Sequence, residues 1–338
     1  MFLKRRDFLL GSTAFLGSFY FLQKSSEELV AMADSSAIET IKINKADKFY
    51  FNSKATDYNA ENSYSLALIS QLVYRKFDKD PAEKLAVQET AKNWGYDDVY
   101  FFHNEYEEVG KKKDSEAIIL VNSDSIIVAF RGSETDPEDW KNNAKFKKEE
   151  YLGGHVHRGF LKAFTDVWYV KDDDTQVKME DRLRKEMQGN KRTLWITGHS
   201  LGGAMAILAA ASCKLSDSNH LEVSGVYTYG QPRVGDLNFE AVFDPQLKTK
   251  TFRVVNNNDI VARIPNINYE HVGTLKFINS SGNVINEEAL SWLQKTSSRV
   301  IGRFHDFGKS GTDGINDHRL NEEYIPKLKA QLSTRSTV

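Results

Sequence analysis

A serine flanked by glycines stands at the junction of two apolar runs. Residues 198–202 are Gly-His-Ser-Leu-Gly, with Ser200 at the centre. The run 193–197 before them is bulky and β-prone, and the run 204–211 after them consists of small and apolar residues. This pattern predicts a strand, a sharp turn and a helix. A serine on such a turn projects its hydroxyl from the end of a sheet, where it can act as a nucleophile.

A serine nucleophile requires a base, and the base requires a carboxylate that orients it. In a strand–turn–helix arrangement of this type the chain order is serine, acid, histidine, so both partners are expected after Ser200. Asp259 directly follows a strand predicted over 251–255. We therefore favour it as the acid over Asp236 and Asp244, which lie in segments that we interpret as turns.

Four histidines follow Ser200: His220, His271, His305 and His318. His318 is favoured as the base because it follows a turn-rich segment and precedes a predicted terminal helix over 320–332, which can brace it. His271 and His305 remain the alternatives, and the simpler interpretation of His271 is a buried, hydrogen-bonded side chain. Upstream of the serine, His157 is interpreted as structural.

Acyl transfer from an ester also requires donors for the oxyanion that forms. The Leu201 N–H, directly after the nucleophile, is expected to be one donor. Ser133 follows a strand predicted over 126–130 and offers a second N–H and a hydroxyl, although residues 131–133 can equally form an ordinary turn. The charged stretch that follows, about 134–150, predicts either a lid over the site or a solvated helix and loop.

The candidate nucleophile, acid, base and oxyanion donors are far apart in the sequence, so the fold must bring them together, for example at the ends of neighbouring strands of one sheet. Apolar periodicity predicts that helices and strands alternate along the chain, and the last two strands before Ser133 are joined by a short turn as a hairpin. Repeats and low-complexity linkers are absent from the sequence, so residues 34–338 are expected to form a single α/β domain. The predicted elements are helices over 63–77 and 82–94 and strands over 98–102, 117–121, 125–130, 225–230 and 251–255.

Composition excludes several functions. The chain has 338 residues, of which 40% are apolar, and a net charge of −2 with interspersed signs. It therefore offers no basic field for nucleic acid. The single cysteine, Cys213, excludes an intrachain disulfide and a multi-cysteine zinc site, and it is expected in the core. No metal or cofactor is required by the chemistry that these residues suggest.

The first 33 residues predict an export signal. Arg5 and Arg6 precede Asp7-Phe8-Leu9 and a mild apolar run, 10–22, that is too short to span a membrane comfortably. This pattern looks like a twin-arginine signal, and 31–33 (Ala-Met-Ala) offers a cleavage site. Export to a periplasm, an extracellular space or a comparable lumen is expected, and an uncleaved membrane tether is the alternative.

Several motifs in series resemble the class 3, or fungal-type, lipases of the α/β-hydrolase fold, over most of residues 57–330. Their order and rough spacing fit that family as well. The matching segments are 128–133 (Val-Ala-Phe-Arg-Gly-Ser), 156–160 (Val-His-Arg-Gly-Phe), 196–204 (Ile-Thr-Gly-His-Ser-Leu-Gly-Gly-Ala), 227–235 (Tyr-Thr-Tyr-Gly-Gln-Pro-Arg-Val-Gly) and 258–261 (Asn-Asp-Ile-Val), together with Asp139, Trp140, Pro265, Tyr269, His271, Gly273, Asp317, His318 and Tyr324.

The resemblance implies a mostly parallel sheet flanked by helices, with a lid after Ser133. It implies Ser200 as nucleophile, Asp259 as orienting acid and His318 as base, with Ser133 and the Leu201 N–H as the oxyanion hole. The expected reaction is hydrolysis of glycerolipid acyl esters through an acyl-serine, without a cofactor or metal, and the lid can contact a lipid surface transiently.

Alternative functions stay open at this stage. They are a phospholipase A1 or galactolipase, a soluble feruloyl-type esterase and, in a different class, a non-catalytic module that binds lipid or protein. Two departures from compact members of the family leave the substrate open: the region 275–312 is longer, and the predicted lid is richly charged.

Overall fold

A computed structural model describes residues 48–108, 111–132, 147–189, 191–216, 220–265, 268–289 and 316–335. The predicted export signal, Ser133, His305 and residues 134–146 of the predicted lid lie outside these ranges. None of the helices within them is both long and apolar enough to cross a membrane.

The described helices flank a large central sheet. A single π-helical turn, Leu320–Tyr324, leads into the last of them. The helices are α1 (Ala60–Leu72), α2 (Pro81–Asn93), α3 (Arg158–Trp168), α4 (Met179–Met187), α5 (Leu201–Leu215), α6 (Leu237–Leu247) and α7 (Ile325–Arg335).

The strands form one eight-stranded sheet and one two-stranded sheet. In the large sheet the order is β1-β2-β3-β6-β7-β8-β9-β10, and β4 pairs with β5. The strands are β1 (Asp98–Glu108), β2 (Lys111–Val121), β3 (Ser125–Phe130), β4 (Lys148–Tyr151), β5 (Gly154–His157), β6 (Thr193–His199), β7 (Val223–Tyr229), β8 (Thr251–Asn256), β9 (Thr274–Ile278) and β10 (Val284–Asn286).

The centre of the large sheet is parallel. Strands β3, β6, β7, β8 and β9 pair in parallel, whereas β1, β2 and β10 run antiparallel to their neighbours. Because carboxyl ends of parallel strands meet at one edge, the residues after β3, β6, β7 and β8 lie together. These are Gly132, Ser200, Gly230 and Asp259.

Both faces of the sheet are buried. In β3, Ile126, Val128 and Phe130 pack in the cluster that holds α3, α5 and α6, while Ile127 and Ala129 pack on the opposite face with α1, α2 and α7. A strand covered on both sides is expected to be apolar at every position, and the fully buried sequence of β3 follows this rule.

The sequence predictions for these elements are largely confirmed, with three differences. Helix α1 begins and ends a few residues earlier than expected, and it is buried almost all round instead of on one face. Strands β1 and β2 extend well past their predicted apolar segments. Lys148–Tyr151, at the end of the predicted lid, forms strand β4 against β5 instead of a lid helix or loop.

Candidate active site

Ser200 lies on a strained turn between β6 and α5. Its φ of 58° and ψ of −129° place it in a region that non-glycine residues rarely adopt. The Ser200 N–H donates to the carbonyl of Tyr229 at 2.9 Å. A Cβ at Gly198 would overlap the backbone of Gly202, and one at Gly202 would overlap the carbonyl of Phe130. The predicted strand–turn–helix is therefore confirmed, and both glycines are sterically required.

The structure brings Ser200, His318 and Asp259 into one hydrogen-bonded chain. Nε2 of His318 lies 2.9 Å from Oγ of Ser200. Nδ1 of His318 lies 2.9 Å from Oδ2 and 3.0 Å from Oδ1 of Asp259. An ionised carboxylate only accepts hydrogen bonds, so Nδ1 carries the proton. Nε2 is then free to accept the proton of the serine hydroxyl.

Asp259 is fully buried and hydrogen-bonded on both oxygens. The Val261 N–H donates to Oδ1 at 2.9 Å, and the Tyr324 hydroxyl donates to Oδ2 at 2.5 Å. Burial by itself would raise the pKa of this carboxyl, but the neighbouring His318 and the hydrogen bonds from His318 and Tyr324 hold its pKa below the ordinary value. Asp259 is therefore ionised at neutral pH, as an orienting carboxylate must be.

Asp317 holds the segment that carries His318. Its carboxylate accepts hydrogen bonds from Nδ2 of Asn257 at 3.1 Å and from the Asn258 N–H at 3.0 Å. Its carbonyl accepts a hydrogen bond from Nδ2 of Asn256 at 2.8 Å. Asp259 and His318 therefore lie on two loops that are tied directly to each other.

Gly230 lies directly against the acid and the base. Its φ of 56° is left-handed, and a Cβ on it would lie 2.6 Å from Oδ2 of Asp259 and 2.7 Å from Nδ1 of His318. The contact between these two side chains therefore requires a glycine at the end of β7. The sequence contains the signal, a glycine between a strand and Gln231, but the reason for it is visible only in three dimensions.

Of the two expected oxyanion donors, the structure describes one. Leu201 is the first residue of α5, and the first N–H groups of a helix have no acceptor within the helix. Ser133 lies outside the described residues. Its neighbour Gly132 is packed tightly, because a Cβ there would overlap the Tyr74 hydroxyl and lie 2.8 Å from the carbonyl of His199.

The other carboxylates that the sequence offered have structural roles. Asp236 caps the N-terminus of α6 by accepting the Phe239 N–H at 3.0 Å. Asp244 lies inside α6, so the interpretation of its segment as a turn was wrong. It accepts hydrogen bonds from the Gly273 N–H and from Nζ of Lys248, both at 2.9 Å.

Of the two alternative histidines the structure describes His271, whereas His305 lies outside the described residues. Nε2 of His271 lies 2.7 Å from the carbonyl of Ala262. Burial, followed by the nearby Arg253 and Arg233, lowers the pKa of His271 well below 6.5. His220 is exposed on a loop. The interpretation of His271 as a buried, hydrogen-bonded side chain agrees with the structure.

His157 caps helix α3. Its Nδ1 accepts the N–H groups of Gly159 at 3.1 Å and Phe160 at 3.3 Å. A ring nitrogen that accepts cannot be protonated, and burial lowers the pKa of His157 to about 4. Its structural interpretation agrees with these contacts.

The capping role predicts a pH dependence of stability. Between pH 6.5 and about 4 the unfolded chain binds a proton at this position that the folded chain excludes. This histidine should therefore lower the free energy of unfolding by about 1.4 kcal/mol for each unit that the pH falls across this window. His157→Asn keeps a capping acceptor without titrating, so urea unfolding across pH 4–7 should show a shallower slope. Equal slopes for His157→Asn and the unmodified protein would contradict the assignment.

An acidic cluster beside β3 is neutralised by cations. Asp78, Asp114 and Glu116 have oxygens within 4.8 Å of one another. The Arg131 guanidinium lies 2.5 Å from Asp114 and 2.6 Å from Glu116, and Lys79 lies 3.6 Å from Asp78 and from Asp114. We interpret this group as an ion-pair network that holds Arg131, which precedes Gly132, and not as a metal site.

This arrangement of elements is shared with lipases. Residues 127–269 match the family model described as Lipase (class 3). The class 3 lipase match includes Ser200 and Asp259 and ends before His318. The chain also aligns with a fungal lipase–inhibitor complex at 20% identity and a TM-score of 0.51, covering 78% of this chain and 99% of the other. A Rhizomucor miehei lipase propeptide complex aligns at 21% identity and a TM-score of 0.50, covering 83% of this chain and 93% of the other. The chain has the α/β-hydrolase fold that the sequence predicted.

Two curated relatives of this chain carry different names. Triacylglycerol lipase OBL1 of Arabidopsis thaliana is 30% identical over an alignment of 194 residues, and the match covers 46% of this chain and 38% of the relative. Phospholipase A1-IIalpha of the same plant is 25% identical over an alignment of 215 residues, and the match covers 56% of this chain and 50% of the relative. The chain therefore spans half or less of the length of these two relatives.

Proposed function

We propose that this protein is a serine-dependent carboxylic ester hydrolase that acts on glycerolipid acyl esters. The observation that carries the proposal is the chain of hydrogen bonds from Oγ of Ser200 through the His318 ring to the buried carboxylate of Asp259. The match of residues 127–269 to class 3 lipases supports it independently.

In the proposed reaction His318 removes the proton of Ser200 as Oγ attacks the ester carbonyl carbon. Asp259 holds the ring in the tautomer that leaves Nε2 free and stabilises the imidazolium that forms. The Leu201 N–H and Ser133 stabilise the oxyanion. His318 then gives the proton to the leaving alcohol, and an acyl-serine remains. Water, activated by the same histidine, hydrolyses this intermediate and releases the fatty acid.

Within this class we favour lipids with polar head groups over bulk triacylglycerol. The part of the predicted lid that precedes β4, 134–147, contains four acidic residues and three lysines among its fourteen positions. Such a segment is better suited to a polar lipid surface than to an apolar droplet. The names of the relatives include both a triacylglycerol lipase and a phospholipase A1, so they support the class without ranking the substrates.

The test is fatty-acid release by the purified full chain from phospholipid vesicles, galactolipid vesicles and emulsified long-chain triacylglycerol. We expect release from glycerolipids, faster from the vesicles than from the emulsion, and none above background with Ser200→Ala. A faster rate on triacylglycerol would overturn the head-group preference. Hydrolysis of soluble aryl esters without release from any glycerolipid would overturn the lipid assignment.

Residues 1–33 support export, and the sharing of one sheet by β1–β3 and β6–β10 supports a single domain over 34–338. We therefore include both in the proposal. Export would give the enzyme access to lipids outside the compartment in which it is made.

A further inference from the structure

His199 directly precedes Ser200 in the sequence. It is not part of the hydrogen-bonded chain from Ser200 to Asp259, but it contacts His318 and Tyr74. Its side chain is buried, with 7% exposed. Its Nε2 lies 2.8 Å from the backbone carbonyl oxygen of His318. Its Nδ1 lies 2.9 Å from the hydroxyl of Tyr74, which follows α1. The rings of His199 and His318 are in contact, with their centroids 4.5 Å apart.

The partners of His199 determine its tautomer. A carbonyl oxygen can only accept, so Nε2 must carry the hydrogen. Nδ1 is then the acceptor, and the Tyr74 hydroxyl must donate to it. Burial, and secondly the adjacent His318, lowers the pKa of His199 to about 3. The ring is therefore neutral at neutral pH, in the tautomer that donates towards His318.

This contact joins two residues that are far apart in the sequence. His199 is the last residue of β6 and carries Ser200 on its own peptide bond. Its side chain holds the carbonyl of His318, while the preceding carbonyl, that of Asp317, is held by Asn256. Two successive carbonyls of the segment that carries the base are thus anchored, one to the nucleophile strand and the other to the acid strand.

We propose that His199 is a positioning residue for the proposed hydrolysis. Its Nε2–H fixes the backbone of His318 relative to the Ser200 turn, and the Tyr74 hydroxyl holds the other side of the ring by donating to Nδ1. The proposal rests on the proposed function, because positioning has a kinetic consequence only if His318 acts as the base.

Two amide substitutions distinguish the roles of the two ring nitrogens of His199. His199→Gln places its amide nitrogen near the position of Nε2, so it can still donate to the His318 carbonyl. His199→Asn is shorter and can replace only the Nδ1 end. A displacement of the base by 1 Å costs about 10²-fold in rate. We expect His199→Asn to lower kcat by about this factor with KM changed by less than about twofold, and His199→Gln to retain most of kcat.

Equal losses of kcat in the two variants, or no loss in His199→Asn, would overturn the proposal. Thermal unfolding of both variants shows whether a loss reflects global destabilisation. If the proposed function itself fails, the unmodified protein will release no fatty acid and react with no serine-directed phosphonate, a result distinct from any difference between the two amides.

The tautomer of His199 can be measured without an activity assay. ¹⁵N NMR of histidine-labelled protein should show His199 protonated on Nε2, in the unmodified protein and in Tyr74→Phe alike, because the His318 carbonyl that faces Nε2 can only accept. A His199 ring protonated on Nδ1 in the unmodified protein would contradict the proposal, whether or not the variants fold.

Discussion

Gly230→Ala is expected to lower kcat by about 10³-fold while the protein still folds. The added Cβ would lie 2.6 Å from Oδ2 of Asp259 and 2.7 Å from Nδ1 of His318. Both distances are well below van der Waals contact, so the acid, the base or both must move. Movement breaks the hydrogen bond that sets the His318 tautomer, and it takes Nε2 away from Oγ of Ser200. The measurement is kcat and KM of the purified variant on a soluble ester.

The matched control is Gly189→Ala. Gly189 has a φ of 68°, close to the 56° of Gly230, but a Cβ on it would have no atom within 4 Å. Both variants carry the cost of a left-handed alanine, roughly 1 kcal/mol of stability, and only Gly230→Ala disturbs the site. Similar activity in the two variants would show that the close packing around Gly230 does not matter for the reaction.

The turn that carries Ser200 could be predicted from the sequence because its constraints are local. Gly198 and Gly202 contact backbone within a few residues or at the end of the neighbouring strand, and the β-prone run before them ends where the small-residue run begins. Asp259 was favoured because of chain order and its position directly after a strand, and His318 because of chain order and its position between a turn-rich segment and a predicted terminal helix. The structure brings both side chains to Ser200.

The supporting contacts could not be predicted in this way. Tyr324 reaches Asp259 across 65 residues of sequence, and Tyr74 reaches His199 across 125. Tyr324 lies in the π-helical turn Leu320–Tyr324 and Tyr74 lies in the turn after α1, and no spacing rule distinguishes either from an ordinary core aromatic. Only the packing of α1 and the Leu320–Tyr324 turn against the sheet gives these hydroxyls their partners.

Helix α1 illustrates a different limit. Apolar periodicity predicted one buried face, but the structure also buries polar side chains of this helix: Ser70 contacts Thr197 at 2.9 Å, and Oγ of Ser65 donates to the Tyr50 carbonyl at 2.6 Å. A buried polar side chain costs little once it is hydrogen-bonded. Composition alone cannot distinguish such a residue from one that faces water, so the helix was predicted as amphipathic.

The most direct test of the central claim is the reactivity of Ser200 itself. Ser200→Ala removes the nucleophile and leaves the hydrogen bond between His318 and Asp259 in place. It should therefore lower kcat for ester hydrolysis by at least about 10⁴-fold with little change in the thermal midpoint. Intact-mass analysis and peptide mapping after treatment with a lipid-like phosphonate should find one adduct per chain, on Ser200, in the unmodified protein and none in the variant. Hydrolysis near the unmodified rate in Ser200→Ala, or an adduct on a different serine, would contradict the account.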